Sequence, residues 1–284
     1  MTQDLANKTF IVTGANTGIG KVTAKELARR GAHVILACRS KAKSEPVVEE
    51  IKRETGNAQV ELVLLDLGDL ASVRACAEAV LARKLPIHGL INNAGLVARG
   101  TTKDGFELTF GTNHIGHYLF TRLLLDRLRE TPGARIVNVS SHSHYQAKRL
   151  DWNAIERPTR TLVGLREYEQ SKLANVLFTR ELARHLEGSG VTTYAVHPGR
   201  VATDAWRRMP QPLRAVFIRA MRMLPPEEGA RSTLIAATSP ELASQTGRYY
   251  DAKGREKRPS RLAEDAQLAT ELWKRSAEWT GLPS

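Results

Sequence analysis

No apolar run in this sequence approaches the ~20 residues that a helix needs to cross a bilayer, and Met1 to Lys8 holds no apolar core of the kind a secretory leader requires. The expectation is a cytoplasmic protein. Cysteine is scarce: Cys38 and Cys76 lie in separate apolar segments, so neither a disulfide framework nor a thiolate metal site is implied. No Ser/Gly/Pro linker or break in composition divides the 284 residues, which read as one domain, 1–284. A net charge of +12 would suit a nucleic-acid partner, but no zinc-finger, helix-turn-helix or aromatic RNA-binding motif accompanies it and the basic residues are scattered. Nucleic acid is therefore excluded as a partner, and the charge reads as a solvated surface with room for one phosphate-bearing ligand.

What the chain does have is alternation. Thr9–Thr13, His33–Cys38, Val60–Leu65, Gly89–Asn92, Arg135–Val139 and Thr192–Val196 are short apolar, β-branched runs, and the spacing predicts helices between them: Val22–Arg30, Val47–Glu54, Ala71–Arg83, Asn113–Glu130 and Tyr168–Glu187. Continuous apolar strands separated by helices imply an α/β fold, a single-domain Rossmann-type doubly wound parallel sheet flanked by helices. A further helix is expected over Leu262–Trp279.

Between the first strand and helix lies Thr13-Gly14-Ala15-Asn16-Thr17-Gly18-Ile19-Gly20. Missing side chains there let backbone approach a pyrophosphate, while the following helix start offers N–H donors and a positive dipole end. A tight turn with no ligand is the plainer alternative. The second strand ends in Cys38-Arg39-Ser40, where an NAD-binding fold would place an acid for the ribose hydroxyl. The acid is missing and Arg39 is present, which favours the 2′-phosphate of NADP(H).

Tyr168 and Lys172 stand four apart, and on a helix they share a face. A phenol titrates near ~10, and an adjacent ammonium favours the phenolate, so such a Tyr can serve as general acid or base. On its own the pair is a common accident of solvated helix faces. The histidine pairs His114/His117 and His142/His144 suggest metal by spacing, but no cysteine or acid cluster completes a site, so no metal is expected.

Taken together, the Thr13–Gly20 turn, Asp66, Asn92-Asn93-Ala94-Gly95, Asn113, Ser141, Tyr168 with Lys172, and Pro198-Gly199 with Thr203 resemble the short-chain dehydrogenase/reductase family, in order and across nearly the whole chain. Ser171-Lys172-Leu173-Ala174-Asn175-Val176-Leu177-Phe178 and Ala195-Val196-His197-Pro198-Gly199 look most like its retinol dehydrogenase and WW-domain oxidoreductase branch. The resemblance implies an NADP(H)-dependent oxidoreductase acting between an apolar aldehyde or ketone and its alcohol. It makes Tyr168 the proton donor or acceptor, Lys172 the group that stabilises the phenolate and binds the nicotinamide ribose, and Asn113 the holder of a water leading from Lys172 to solvent. The substrate oxygen would be oriented by a serine; Ser140 and Ser141 both stand at the strand end, and the family pattern selects Ser141.

For the cofactor the resemblance implies Gly14, Asn16, Thr17, Gly18, Ile19 and Gly20 at the pyrophosphate turn and Arg39 at the 2′-phosphate. Asp66 would meet the adenine edge, Asn92 the adenosine side and Thr203 the nicotinamide end, and Leu67, Asn93, Ala94, Gly95, Tyr168, Lys172, Pro198, Gly199 and Val201 complete the cofactor-binding set. The dinucleotide part spans about 1–200 and a substrate lid about 201–228. The stretch His142 to Glu167 is an insertion bordering the pocket.

Leu213, Val216, Phe217, Ala220, Met221 and Leu224 recur at steps of three and four opposite Arg214, Arg219 and Arg222. This amphipathic helix could pack on the core, cover an apolar substrate or lie on an anionic membrane. The resemblance favours the lid, with Trp206 and Met209 as wall residues. It also makes the helices Asn113–Glu130 and Tyr168–Glu187 pairing surfaces of a homodimer or homotetramer. The rival readings are an NADP-binding sensor or scaffold without turnover, and a peripheral membrane retinol dehydrogenase.

Overall fold

The structure, a computed structural model, describes residues 3–201 and 224–284. The strands are β1 (Thr9–Thr13), β2 (His33–Cys38), β3 (Val60–Leu64), β4 (Gly89–Asn92), β5 (Arg135–Val139), β6 (Thr192–Val196) and β7 (Arg248–Tyr250). They form one seven-stranded sheet in the order β3-β2-β1-β4-β5-β6-β7, every pairing parallel. The expected parallel sheet is present, and the reason is visible in β1 and β5, where every residue is buried. Strands with helices on both faces are drawn mainly from apolar and β-branched runs.

The longer helices among the described residues, each of 12 residues or more, are α1 (Gly18–Arg29), α2 (Lys41–Thr55), α3 (Leu70–Leu81), α4 (Gly116–Arg129), α5 (Leu165–His185), α6 (Pro226–Thr238) and α7 (Ala266–Thr280). Leu27, Val48, Ile51 and Ala236 pack α1, α2 and α6 on one face of the sheet, while Val73, Leu124, Phe178 and Trp273 pack α3, α4, α5 and α7 on the other.

Four differences from the sequence reading have physical causes. Helix α2 begins at Lys41, six residues before Val47, with Pro46 inside it; the proline mimics a helix start, yet one lost N–H bond is tolerated near the N-terminus. Helix α5 begins a turn early because Gly164, at φ +73°, turns the chain into it. The segment at Asn113 is not the start of a regular helix but a π-turn, Gly111–Ile115, feeding α4. The C-terminal stretch divides into a 3-10 turn, Arg261–Glu264, and α7, capped by Asp265. Helix α6 and strand β7 were not read from the sequence at all.

Helix α7 lies across α4 and α5, the two surfaces named above for pairing. Trp273 meets Tyr118 edge-on at 5.2 Å and stacks on His185 at 4.0 Å and Phe178 at 6.0 Å. The Arg122 guanidinium covers the Trp273 ring at 4.7 Å and donates to the Pro283 carbonyl. Trp273 is 5% exposed, and its Nε1 has no partner among the described residues. Trp273→Ala should therefore lower unfolding free energy in urea by about 3 kcal/mol, the lower end of the range for a buried aromatic, because no hydrogen bond is lost with the ring.

Candidate active site

Strands β1 and β4 lie side by side and end at Thr13 and Asn92, where a doubly wound sheet opens its ligand crevice. The Thr13 hydroxyl oxygen accepts from the backbone N–H groups of Asn93 and Ala94, each at 2.9 Å, and Asn93 Nδ2 donates to the Thr13 carbonyl at 2.8 Å. These bonds pin the two strand ends together. Gly14 has φ +64°, and a Cβ there would stand 2.9 Å from the Ala94 methyl; one on Gly20 would stand 2.4 Å from Asn93 Nδ2. Packing between strand ends thus demands the glycines before any ligand does.

Asn16, Thr17 and Gly18 are half-buried at the turn, and the first-turn N–H groups of α1 begin at Gly18. Their chemistry fits a pyrophosphate. The Ile19 side chain packs with Val201 and Ala230. Arg39 is exposed directly after β2. Lys41 pairs with Glu45 at 3.5 Å, but Arg39 has no ion pair among the described residues. That donor set fits an NADP(H) 2′-phosphate. Asp66 accepts from the Gly68 N–H through Oδ1 at 3.0 Å, and Leu67 is buried beneath α4, where a Cβ on Gly116 would lie 2.4 Å from its carbonyl oxygen.

Asn92 corrects the sequence reading. Its side chain is 2% exposed and donates to Thr121 Oγ1 and Asn138 Oδ1, both at 2.9 Å, while Asn138 donates to Thr179 at 3.0 Å. It belongs to a buried polar ladder tying the sheet to α4 and α5, not to the adenosine side of the crevice.

The proton-transfer candidates meet at the end of β5. Lys172 is 3% exposed, and its Nζ donates to the Val139 carbonyl at 2.9 Å and stands 5.5 Å from the Tyr168 ring centre. Burial lowers the amine from its usual 10.5 to about 8. Burial raises the Tyr168 phenol, opposed by a hydrogen bond with Ser141. The expected pull of Lys172 on the phenol is not what governs it: the amine is turned toward the Val139 carbonyl, and desolvation acts most strongly. The two serines separate cleanly. Ser140 is buried and donates to the Lys172 carbonyl at 2.7 Å, while Ser141 is the one beside Tyr168.

Asn113 sits fully buried in the π-turn, a distortion often found at functional sites. Its Oδ1 accepts from the Leu96 N–H at 2.9 Å, and its Nδ2 donates to the Leu96 carbonyl at 3.0 Å and Ser171 Oγ at 3.1 Å. A Cβ on Gly95 would lie 3.3 Å from Lys172 Nζ and 3.5 Å from Asn113 Oδ1, so the loop after β4 closes directly over both. Pro198 is buried, and Gly199, at φ +90°, leads to Val201, which bridges Leu224. Thr203, Trp206, Met209 and the amphipathic stretch up to Met223 lie outside the described residues.

Sequence reasoning weighed His144 only as a metal ligand. Its Nδ1 donates to the Ser141 carbonyl at 2.7 Å and its Nε2 accepts from the Ser260 N–H at 3.1 Å, so it fastens the Ser141 backbone to the C-terminal segment. Nothing local signals this, because the second partner is 116 residues away. Among the described residues no group of three or more His, Cys, Asp or Glu side chains could hold a metal ion.

A family model described as short chain dehydrogenase matches residues 8–151. Human retinol dehydrogenase 11 is 44% identical over 290 residues, covering 99% of this chain and 88% of that protein, and human retinol dehydrogenase 13 is 43% identical, covering 98% and 86%. Among solved structures, an uncharacterized protein from Mycobacterium Paratuberculosis superimposes with a TM-score of 0.78 at 37% identity, covering 99% of this chain and 98% of that one. A Beutenbergia cavernae chain described as an NAD(P) dependent gluconate 5-dehydrogenase, with NADP bound, gives 0.71 at 29% identity, covering 89% and 98%. With a parallel sheet, a glycine turn at its switch point and Ser141, Tyr168 and Lys172 gathered at the end of β5, the chain belongs to the short-chain dehydrogenase/reductase family of oxidoreductases, on its retinol dehydrogenase branch.

Proposed function

We propose that this oxidoreductase uses NADP(H) to interconvert an apolar aldehyde or ketone and its alcohol. The observation that carries the reading is the convergence of Ser141, Tyr168 and Lys172 at a crevice whose glycine turn fits a pyrophosphate and whose neighbouring strand ends in Arg39. Bound NADPH supplies the hydride. Tyr168, half-buried on α5, gives its proton to the substrate oxygen, and Ser141 holds that oxygen by a hydrogen bond while contacting the phenol. Lys172 places a cation next to the phenolate that remains. Desolvation strengthens that attraction, because the effective dielectric beside the ring is well below that of water.

An apolar substrate is supported by the site's rim. Val97, Leu162, Val163 and Leu165 are all exposed, and a Cβ on Gly164 would lie 3.7 Å from Val97 Cγ1, so they gather about the Gly164 corner one turn before Tyr168. The retinol dehydrogenases among the relatives carry names for a long apolar alcohol, which agrees with such a rim.

The test is loss of NADPH absorbance across a panel of apolar aldehydes and ketones, with NADH in parallel. NADPH should be preferred by about 10- to 100-fold in kcat/KM, the worth of one charge-assisted phosphate contact, and Arg39→Asp should abolish the preference. A wild-type preference for NADH would overturn the assignment of Arg39.

The buried amine carries a stability cost. The Val139 carbonyl also accepts from Asn175 Nδ2 at 3.2 Å, so Lys172→Met leaves it with a partner. The folded protein binds fewer protons at Lys172 than the unfolded chain between about 8 and 10.5, so wild-type stability rises with pH across that window. Lys172→Met should therefore be more stable than wild type by about 1–3 kcal/mol at pH 7, a gain that fades toward pH 10.5. Parallel urea titrations of the two proteins check this.

A further inference from the structure

His117 lies one helical turn after Asn113, is 3% exposed, and takes no part in the reaction described above. Its two ring nitrogens have different partners. Nδ1 stands 3.1 Å from the Asn113 carbonyl oxygen and Nε2 stands 2.9 Å from the Thr13 hydroxyl. The proton positions follow from counting. The Thr13 oxygen already accepts from two backbone N–H groups, those of Asn93 and Ala94, which fill both of its lone pairs. It can only donate to His117, and the other acceptor within reach, the Ile91 carbonyl, is farther away at 3.4 Å. Nε2 is thus the acceptor and Nδ1 carries the hydrogen, which is what the Asn113 carbonyl requires. Both ends of the ring select the same neutral tautomer. Burial agrees, holding the imidazole well below its usual pKa, at about 4, with Lys172 adding to the effect.

The result is one buried line of hydrogen bonds from the strand ends that shape the glycine turn, through Thr13 and His117, to the backbone of the π-turn. Asn113 then continues it through its side chain to Leu96 and to Ser171 on α5, next to Lys172. We propose that His117 is a positioning residue for the reaction, which holds the dinucleotide turn through Nε2 and the Asn113 carbonyl through Nδ1, one ring nitrogen serving cofactor seating and the other the alignment of the proton-transfer groups. This rests on the NADP(H) oxidoreductase reading above. Position 117 is suited to the task because a neutral imidazole is the side chain that both donates and accepts at opposite ends of a rigid ring.

The two bonds can be removed separately. In His117→Asn the amide nitrogen replaces Nδ1 and keeps the bond to Asn113 but loses Thr13; in His117→Gln the side-chain oxygen reaches Thr13 and the bond to Asn113 is lost. Removing one buried neutral hydrogen bond changes an equilibrium by about 3- to 10-fold. His117→Asn should weaken NADPH binding by about that factor, read by fluorescence quenching, with kcat within about twofold of wild type. His117→Gln should bind NADPH within about twofold of wild type and lose about 3- to 10-fold in kcat. Equal losses of both quantities in both variants, tracking a lowered melting temperature, would mean a merely structural histidine and overturn the proposal. Long-range proton–nitrogen spectra of the wild-type histidine rings test the same point without turnover: the proposal expects His117 to remain the neutral Nδ1–H form from pH 6 to 8, and an Nε2–H form or titration near ~6.5 would refute it. If wild type binds NADPH but reduces no carbonyl, the proposed function fails; the binding arm and the tautomer still decide the role of His117.

Discussion

Burying an amine is unfavourable, and the arrangement around Lys172 exists because that burial is made tolerable. A charged group removed from water needs hydrogen-bond partners or shifts toward its neutral form, and Lys172 does both. It donates to the Val139 carbonyl at the end of β5, and its pKa falls to about 8. That single contact requires α5 to cross the sheet with Lys172 directed at a strand end, and the same crossing brings Tyr168, one turn earlier, beside Ser141. The polar ladder of Asn92, Asn138, Thr121 and Thr179 fixes the depth of α4 and α5 on the sheet, so the amine cannot drift from its acceptor.

The crevice is built by a second, independent set of contacts. Thr13, Asn93 and Ala94 tie β1 to β4, and Gly14 and Gly20 permit an approach that any Cβ would block. These residues make the turn rigid before a dinucleotide arrives, which reduces the ordering that binding must supply. Two histidines connect this frame to the reacting groups: His144 fastens the Ser141 backbone, and His117 joins Thr13 to Asn113. Site geometry thus depends on residues outside the reacting set of Ser141, Tyr168 and Lys172.

The parallel sheet was legible because strands covered on both faces are rich in apolar residues, as in residues 34–38 of β2 and the Ile136-Val137 centre of β5. The short β7 was not, since Arg248–Tyr250 is three residues long and becomes a strand only by pairing with β6. Helix α6 did carry signals, Pro226 at its first turn followed by Glu227 and Glu228, but its mixed Gly, Ala, Ser and Thr content hid the apolar face. In the site, Tyr168, Lys172, Ser141 and the glycines are visible in sequence because the chemistry restricts residue type at fixed spacing. The roles of Asn92, His117 and His144 were not, because each has a partner 29 to 116 residues away that only folding supplies. The spacing of Asn113 and His117 was the one available clue.

The claim on which the rest depends is that Tyr168 transfers the proton. Tyr168→Phe removes the hydroxyl and keeps the ring. Turnover of the best aldehyde and NADPH affinity measured together on this variant should show a fall of about 10²- to 10⁴-fold in kcat with affinity within about threefold of wild type. Turnover retained within tenfold by the phenylalanine variant would contradict the account.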